Sequence, residues 1–499
     1  MKILTNSILF LAMVTAGLAC KPQNNLQKEN QETFEKMHPN FSAQFEEQVK
    51  TIFQEKELQG DFIFAVVDEN GLAYSYALNK AILEGEASTL TNSSPIYIAS
   101  HTKSFTGTLL KILEENGRLD LNKSLAAYLP ALDFRDSIDA NMINIKELLS
   151  HTHGTFSTIL TWKTAFLGYQ GGNEALINDF NNDFLHDPSH RFRYSNVGSI
   201  VAGMIVDEVM KNSWKDEMKT HIFDPLGMKH TSAYVSDYNF STIRPSVISS
   251  KENGVVDIGF YKADNTMHAA GGIISTIDDL SIWLSANIRE DEALMSKEAW
   301  VNLHTAVAEQ NRTYFTYNRT GYSLGWDIAE YQNEKILTRF GGLAGISFHI
   351  SFMPEKKLGI IALTTDNRAF VLPHLMANLA YNKLNSLGTD TTFISEKARF
   401  DKSFNRENEL SYPDQKNLLE VNKGNNSIVG HYETDEGWPS ISIDIIDNQY
   451  QFRWGLLDGE IYKTTEKQFT SHLGPLSRDF EILNDSLFTG SLIYKKNNL

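Results

Sequence analysis

One serine and one lysine in this chain have the spacing that an activated nucleophile requires. Ser100 and Lys103 form the only Ser-x-x-Lys sequence in the 499 residues. A serine hydroxyl becomes a good nucleophile when a neighbouring base takes its proton, and a lysine in a dry, cation-rich pocket loses its own proton near neutral pH. The pair therefore indicates hydrolytic chemistry, although the same spacing also fits a helix-capping serine followed by a surface lysine.

The pattern after Ser100 predicts a helix that would position both residues. Apolar side chains recur there at helical spacing, at Phe105, Leu109, Ile112 and Leu113. In a helix, Lys103 lies one turn beyond Ser100 on the same face. The positive end of the helix dipole would also favour a serine alkoxide and an oxyanion.

Further motifs surround the pair and follow it in a fixed order. They are Ile96–Thr106, Gly117–Leu121, Tyr128–Pro130, Ile145–Gly154, Phe192–Asn196, Ala270–Leu280 and Gly325-Trp326. Together they resemble the serine β-lactamase and penicillin-binding-protein superfamily, nearest its class C β-lactamase and esterase branch. The resemblance covers roughly residues 46 to 385. It departs from the branch at His153, where serine is usual in a His-Thr-Ser-Gly segment.

The resemblance implies roles for two more residues. Tyr194 matches the tyrosine of the Tyr-x-Asn motif, which shares proton transfer with the lysine. A phenol near a lysine and a second cation ionises below its usual pKa, and it can return the proton to a leaving group. Asn196 would hydrogen-bond Lys103 or the acyl amide of the substrate. Taken alone, Tyr194 also fits a buried, hydrogen-bonded tyrosine.

The third family motif, Lys-Thr-Gly or His-x-Gly, is altered here to Arg339-Phe340-Gly341. These three residues are predicted to line the substrate site, where the cation survives as Arg339 and the usual hydroxyl is lost to Phe340. Arg339 would either bind a ligand carboxylate through two hydrogen bonds or tune Tyr194. The family pattern places the oxyanion hole at the backbone N–H groups of Ser100 and Gly342.

These matches predict an α+β fold of the β-lactamase/transpeptidase type, in which a mixed antiparallel sheet is flanked by helices and accompanied by a helical subdomain. The sequence supports this fold with a hairpin at Asn70-Gly71, a helix from about Val197 to Met210, and strands at Phe348–Met353 and Leu358–Leu363. The predicted hydrolase domain spans residues 46–390. A polar linker is expected at 391–426, and a small antiparallel β domain at 427–499.

The C-terminal β domain resembles the lipocalin-like domain often appended to this branch. Its strands alternate apolar and polar residues, and Gly430-His431-Tyr432 carries part of the likeness. Three aromatic residues, Trp438, Tyr450 and Trp454, fit either a core or a binding face, and the core is the favoured interpretation.

The N-terminus predicts export. An apolar stretch from Ile8 to Ala19 follows Lys2 and has the length of a signal-peptide core, so residues 1–19 are expected to be a signal peptide. Cys20, the only cysteine, resembles a lipoprotein cleavage and lipidation site, followed by a polar tether at 20–45. The expected location is a membrane-anchored lipoprotein facing the periplasm or the cell exterior. The alternative is a plain signal peptide and a soluble periplasmic or secreted protein.

The leading hypothesis is a serine hydrolase that forms an acyl-enzyme from an ester, amide or D-amino-acid peptide, with no metal or organic cofactor. The alternatives are a β-lactamase and a catalytically silent lipoprotein that binds or senses cell-wall material. A formal net charge of −17 disfavours nucleic-acid partners, which leaves a small molecule or peptide as substrate. Histidines 151, 153, 268 and 349 lack metal-site spacing, and no Gly-x-Ser-x-Gly elbow supports a Ser-His-Asp triad.

Overall fold

The computed structural model describes residues 23–134, 139–182, 185–187, 189–244, 246–250, 254–407, 417–421, 426–465 and 467–497. The predicted signal peptide and Cys20 lie outside these residues. In the described part of the chain, no helix is both long and apolar enough to cross a membrane.

The strands up to residue 364 build the hydrolase domain and fall into one large sheet and several two-stranded pairs. They are β1 Phe62–Asp68, β2 Gly71–Leu78, β3 Ile82–Leu83, β4 Glu86–Ala87, β5 Ile96–Tyr97, β6 Thr155–Phe156, β7 Leu185–His186, β8 Val247–Ser250, β9 Gly254–Asp257, β10 Ile274–Ser275, β11 Ala308–Tyr314, β12 Tyr317–Tyr322, β13 Asp327–Tyr331, β14 Glu334–Leu343, β15 Ile346–Met353 and β16 Leu358–Thr364.

The large sheet has eight strands in the order β11-β12-β13-β14-β15-β16-β1-β2, and every neighbouring pair is antiparallel. Two interior strands, β15 and β16, are buried along almost their whole length. The sequence of β16 is nearly continuously apolar, whereas β15 alternates apolar residues with buried Ser347, His349 and Ser351. The predicted hairpin is confirmed, but its turn is formed by Glu69 and Asn70, and Gly71 is already the first residue of β2.

Helices cover both faces of this sheet. They are α1 Gln23–Met37, α2 Phe41–Glu55, α3 Thr102–Glu115, α4 Leu125–Tyr128, α5 Ile145–Ser150, α6 Thr158–Trp162, α7 Gly172–Asn182, α8 Asn196–Met210, α9 Trp214–Met218, α10 Asp224–Leu226, α11 Ile277–Arg289, α12 Lys297–Leu303, α13 Leu372–Asn385 and α14 Asp390–Glu407. One apolar core joins α3, α8 and α11 to one face, and a second joins α2 and α13 to the other. The predicted mixed antiparallel sheet with flanking helices is thus confirmed.

The expected polar tether at 20–45 is not observed where the structure describes it. Residues 23–37 form α1, and α2 begins at Phe41, ahead of the predicted domain start at 46. Although the segment is polar overall, Phe34 is buried on Tyr74 with ring centroids 5.5 Å apart. A few aromatic anchors on one helix face are sufficient to bind a polar helix to the sheet.

The expected linker at 391–426 also contains a helix. α14 buries Phe400 and Phe404 against the core of α2 and α13. Lys397 pairs with Glu55 at 2.7 Å, and the chain reaches the next domain with a hydrogen bond from the Leu419 N–H to the Ile461 carbonyl. The sequence did not predict this helix because the segment is polar overall, and its two anchoring phenylalanines, one helical turn apart on one face, give only a weak pattern.

The C-terminal strands close into an eight-stranded barrel. They are β17 Gly430–Glu433, β18 Ile441–Ile446, β19 Gln449–Trp454, β20 Leu457–Lys463, β21 Gln468–Leu473, β22 Leu476–Leu483, β23 Ser486–Thr489 and β24 Leu492–Asn497. Tyr450 and Trp454 are buried in its core, as favoured from the sequence, whereas Trp438 is only half-buried. β17 pairs with β24, so the barrel leaves no open strand edge.

The barrel packs directly on the hydrolase domain. The Leu456 N–H donates to the Leu167 carbonyl at 2.9 Å, and the rings of Trp162 and Trp454 lie 5.5 Å apart. Leu343, the last residue of β14, and Ala344, in the turn that follows, contact the same apolar cluster. The two domains therefore share a core rather than a loose connection.

The anchoring of α1 is testable by replacing its buried phenylalanine. We expect Phe34→Ala to lower the free energy of unfolding by about 3 kcal/mol, because the change removes a buried aromatic ring and leaves a cavity. Urea denaturation measures the change. Met37→Ala, on the same helix at a side chain that is 63% exposed, is the control and should change stability by less than about 0.5 kcal/mol. Equal effects of the two variants would contradict the packing.

Candidate active site

Ser100 lies in a short 3-10 turn, Ala99–His101, immediately before α3, whereas the sequence placed it at the first residues of the helix itself. Ala99 has φ +48°, a left-handed conformation that costs free energy for any residue with a Cβ. The turn is held from the sheet side, where the His101 ring nitrogen Nε2 lies 3.1 Å from the Phe348 carbonyl. This strained turn presents the Ser100 hydroxyl beside the first turn of α3.

The structure brings all four predicted catalytic residues together. The Ser100 hydroxyl lies 3.0 Å from the Tyr194 hydroxyl and 3.4 Å from the Lys103 ammonium. Lys103 also donates to the Asn196 side-chain oxygen at 2.8 Å. Tyr194 and Asn196 come from the start of α8, where Ser195 caps the helix by accepting from the Val197 N–H.

Lys103 is buried, and no carboxylate is among the contacts described for its ammonium. Besides the Ser100 hydroxyl and Asn196, the ammonium donates to the Ala270 carbonyl at 2.7 Å. A tight turn delivers that carbonyl, because a Cβ at Gly272 would lie 2.3 Å from the His268 nitrogen. Burial lowers the pKa of Lys103 to about 8; the charge of Tyr194 opposes this shift, and the positive charge of Arg339 adds to it.

Two cations lie close to the Tyr194 ring. The Lys103 ammonium and the Arg339 guanidinium lie 4.9 and 4.8 Å from the centre of its ring, and Arg339 also donates a hydrogen bond to its hydroxyl. Desolvation by the surrounding protein raises the pKa of the phenol, but the charges of Arg339 and Lys103 outweigh it and lower the pKa below its usual value. The side chain is 38% exposed, so the reacting edge of the site is open to solvent.

Arg339 is buried, and the protein engages all three of its guanidinium nitrogens. Nε donates to the Ser100 carbonyl at 3.2 Å, one terminal nitrogen contacts Asp327 and the Tyr322 hydroxyl, and the other contacts Tyr194. Of the two roles open from the sequence, these contacts favour the tuning of Tyr194 over the binding of a ligand carboxylate.

Phe340 does not line the site as predicted. Its ring packs on Tyr314 and Phe370, at centroid distances of 5.3 and 6.5 Å, because successive strand residues face opposite sides of a sheet. Gly341 does face the nucleophile turn, and a Cβ there would lie 3.0 Å from the Ile98 carbonyl oxygen. Gly342 follows opposite Ser347, and its backbone role in an oxyanion hole stays a prediction.

Sequence reasoning gave no role to three residues that contact Tyr194 or Arg339. His151 ends α5 in a left-handed conformation, and its ring lies 4.6 Å from the Tyr194 ring. Burial holds the pKa of His151 well below its usual range, so the ring is neutral. Tyr322 and Asp327 come from strands distant in sequence, and only the position of His151 beside a family motif offered a signal.

The histidines considered as metal ligands are buried and lie in protein environments of their own. His153 contacts the Thr155 hydroxyl, and the pKa of His268 and that of His349 are lowered by burial. Within the described ranges, no group of three or more His, Cys, Asp or Glu side chains is arranged to hold a metal ion.

Comparison with known proteins agrees with this architecture. The model of the family described as Beta-lactamase matches residues 46–380. Because this match covers well over half of the 499 residues, the chain belongs to the beta-lactamase family.

Individual relatives are distant. Protein flp of Staphylococcus aureus strain MW2 is 25% identical over 341 residues, which are 67% of this chain and 66% of that protein, so the match spans just under two thirds of the relative. The octameric penicillin-binding protein homologue from Pyrococcus abyssi superposes with a TM-score of 0.59 at 19% identity, over 91% of this chain and 100% of that one. The D-amino acid amidase from Ochrobactrum anthropi SV3 gives 0.55 at 17%, over 75% and 99%. These two structures show the fold that they share with this chain.

The depressed pKa of Lys103 predicts a pH-dependent stability. The folded pKa, about 8, lies below the usual 10.5, so the unfolded chain binds more protons between these values. Burial of the charged Lys103 ammonium therefore destabilises the folded protein. The destabilisation is fully present below about pH 8 and disappears as the pH rises towards 10.5. The unfolding free energy of wild type minus that of Lys103→Met should increase by on the order of 2 kcal/mol from about pH 7 to about pH 10. Urea denaturation at the two pH values tests this, and a constant difference would contradict it.

Proposed function

We propose that this protein is a serine hydrolase that works through an acyl-enzyme, with Ser100 as the nucleophile. The observation that carries the proposal is the position of the Ser100 hydroxyl, which lies within reach of both Tyr194 and Lys103 at 3.0 and 3.4 Å. A nucleophile beside two proton-accepting groups whose pKa values are both lowered meets the geometric requirement for general-base activation.

In acylation, the Ser100 oxygen attacks the substrate carbonyl carbon while its proton passes to the ionised Tyr194 oxygen or the neutral Lys103 amine. The carbonyl oxygen becomes an oxyanion, for which the backbone N–H groups of Ser100 and Gly342 are the proposed donors. The bond to the leaving alcohol or amine then breaks, and the leaving group takes the proton from Tyr194. An ester between Ser100 and the acyl group remains.

Deacylation repeats these steps with water as the nucleophile. Tyr194 accepts a proton from the attacking water, the bond between the acyl carbon and the Ser100 oxygen breaks, and the serine recovers its proton. Arg339 favours the ionised phenol throughout, because its guanidinium donates to the Tyr194 oxygen. Asn196 holds the Lys103 amine in place at 2.8 Å.

The substrate that we propose is an ester, an amide or a D-amino-acid peptide rather than a β-lactam. Arg339 is occupied by protein partners, and the Phe340 side chain faces the other side of the sheet. The motif that holds the ligand carboxylate in β-lactam-binding members is thus altered at both positions. The name of the D-amino acid amidase with the same fold is consistent with an amide substrate.

Labelling with activity probes tests the nucleophile. We expect a fluorescent phosphonate to label the wild type and p-nitrophenyl butyrate to be turned over, and both activities to fall at least about 1,000-fold in Ser100→Ala, because the acyl-enzyme requires the hydroxyl. Ser281→Ala, which removes a buried hydroxyl on α11, is the control and should retain both.

The other outcomes discriminate the alternatives. Labelling by a fluorescent penicillin, with turnover of a chromogenic cephalosporin, would replace the proposed substrate class by β-lactams. A folded wild type that neither labels nor turns over any acyl donor would support a silent binding protein.

We further propose that the chain is exported and anchored through a lipid on Cys20, on the strength of the N-terminal pattern alone. Metabolic labelling with radioactive palmitate should then tag the wild type but not Cys20→Ser when each is expressed in a bacterium that processes lipoproteins. Export with no incorporated lipid would leave the plain signal peptide as the explanation.

A further inference from the structure

Asp327, at the start of β13, is a buried carboxylate that the proposed mechanism does not yet use. Its exposed fraction is 2%. One carboxylate oxygen accepts from Arg339 at 3.1 Å, and the other accepts from Gln310 at 3.0 Å and lies 3.5 Å from Arg319. A buried carboxylate surrounded by three donors from three other strands is fixed in both position and orientation.

The local backbone is irregular where these donors originate. The register of β11 and β12 shifts between Glu309 and Arg312, and that of β12 and β13 shifts between Arg319 and Gly321. Such bulges redirect side chains. Here they accompany Gln310, which bridges the Gly321 carbonyl and Asp327 at 3.0 Å each.

Arg339 connects this carboxylate to the site. One end of its guanidinium contacts Asp327 and the other contacts the Tyr194 hydroxyl. A planar guanidinium held at one end presents its other nitrogen in a fixed direction. Without the Asp327 carboxylate, the Arg339 guanidinium would lose its ion pair and would be able to turn away from Tyr194.

The charged and titratable groups around Tyr194 and Arg339 come from every neighbouring element. Lys103 lies on α3, His101 precedes it, His151 ends α5, Arg319 and Tyr322 lie on β12, and Asp327 lies on β13. The two histidines are neutral because burial lowers their pKa values, and burial raises the pKa of Tyr322. Among the described residues, Asp327 is therefore the one carboxylate in direct contact with Arg339.

We infer that Asp327 is a positioning residue, which acts by holding the Arg339 guanidinium against the Tyr194 hydroxyl. The inference rests on the proposed function for its catalytic consequence, but the arrangement of the three side chains stands independently of turnover. It assigns to the altered third motif a purpose that the sequence left open, because the arginine in place of the usual lysine or histidine reaches both partners at once.

Two possible roles for Asp327 predict opposite changes in the Tyr194 pKa when Asp327 is removed. If Asp327 acted only through its negative charge, its removal would lower the pKa of Tyr194, since one anion near the phenolate would be gone. If it positions Arg339, its removal lets the guanidinium leave Tyr194. The pKa of Tyr194 then rises, and the acid limb of kcat/KM against pH moves to higher pH.

The experiment compares Asp327→Ala with wild type by NMR titration of tyrosine labelled with ¹³C at Cζ, with the Tyr194 signal assigned from Tyr194→Phe. We expect an increase of about one pKa unit, together with an equal shift of the pH–rate limb and an about tenfold or greater loss of kcat. Asp327→Asn, which keeps an oxygen acceptor for the guanidinium, should recover part of kcat.

A matched control removes another buried carboxylate that holds an arginine. Asp366 pairs with Arg368 at 2.7 Å, and both side chains are buried. Asp366→Ala should lower the melting temperature without moving the Tyr194 titration or the pH–rate limb. A purely structural role for Asp327 would produce that same result in Asp327→Ala, and it would overturn the inference.

A second set of variants covers the outcome that Asp327→Ala does not fold. Arg339→Gln and the double variant Asp327→Asn/Arg339→Gln are compared, because removing both charges leaves no unpaired buried ion. If Asp327 acts through Arg339, the Tyr194 pKa in the double variant should be no higher than in Arg339→Gln alone. A further rise in the double variant would overturn the inference. Absence of turnover in the wild type would instead count against the proposed function, and the NMR titration would still decide the role of Asp327.

Discussion

The arrangement of this site depends on keeping two cations close together in a poorly solvated space. Lys103 and Arg339 are both buried, and their charged groups lie 4.9 and 4.8 Å from the centre of the Tyr194 ring. Because both cations are buried, their mutual repulsion is screened less than it would be in bulk water. The repulsion is relieved when Lys103 loses a proton or Tyr194 becomes an anion. Both changes prepare the neighbouring serine for attack.

Much of the surrounding structure maintains this unfavourable arrangement. The left-handed Ala99 places Ser100 outside the regular helix, and Gly272 folds the chain tightly so that the Ala270 carbonyl reaches Lys103. Gly325 allows the loop before β13 to approach α3, since a Cβ there would lie 2.7 Å from the Lys103 carbonyl oxygen. Each of these local costs is balanced by the large apolar cores on the two faces of the sheet.

The sequence predicted the elements that have a strong period or a fixed motif. The hairpin at Asn70-Gly71, the helix at 196–210 and the pair of buried strands at 346–364 follow from local patterns. The proximity of the pair Ser100 and Lys103 to the pair Tyr194 and Asn196 was expected only because ordered motifs matched a family, since the two pairs are 91 or more positions apart and have no local signal of contact.

Other features had no such signal. The helices at 23–37 and 390–407 were obscured because a few phenylalanines anchor otherwise polar segments. The outward direction of Phe340 depends on strand register, which a single altered motif does not define. The contact of Asp327 with Gln310 occurs where the registers of β11, β12 and β13 shift, and the sequence pattern does not mark these shifts.

The shared core between the barrel and the hydrolase domain has a consequence for how such chains diversify. Trp162, Leu167 and Phe260 belong to one domain but are covered by the other. The side chains of a barrel transferred from a relative would be complementary to the relative's surface and would pack poorly on this one. Recombination at the apparent boundary would therefore expose aromatic surface, and the two domains are expected to have been inherited as one unit.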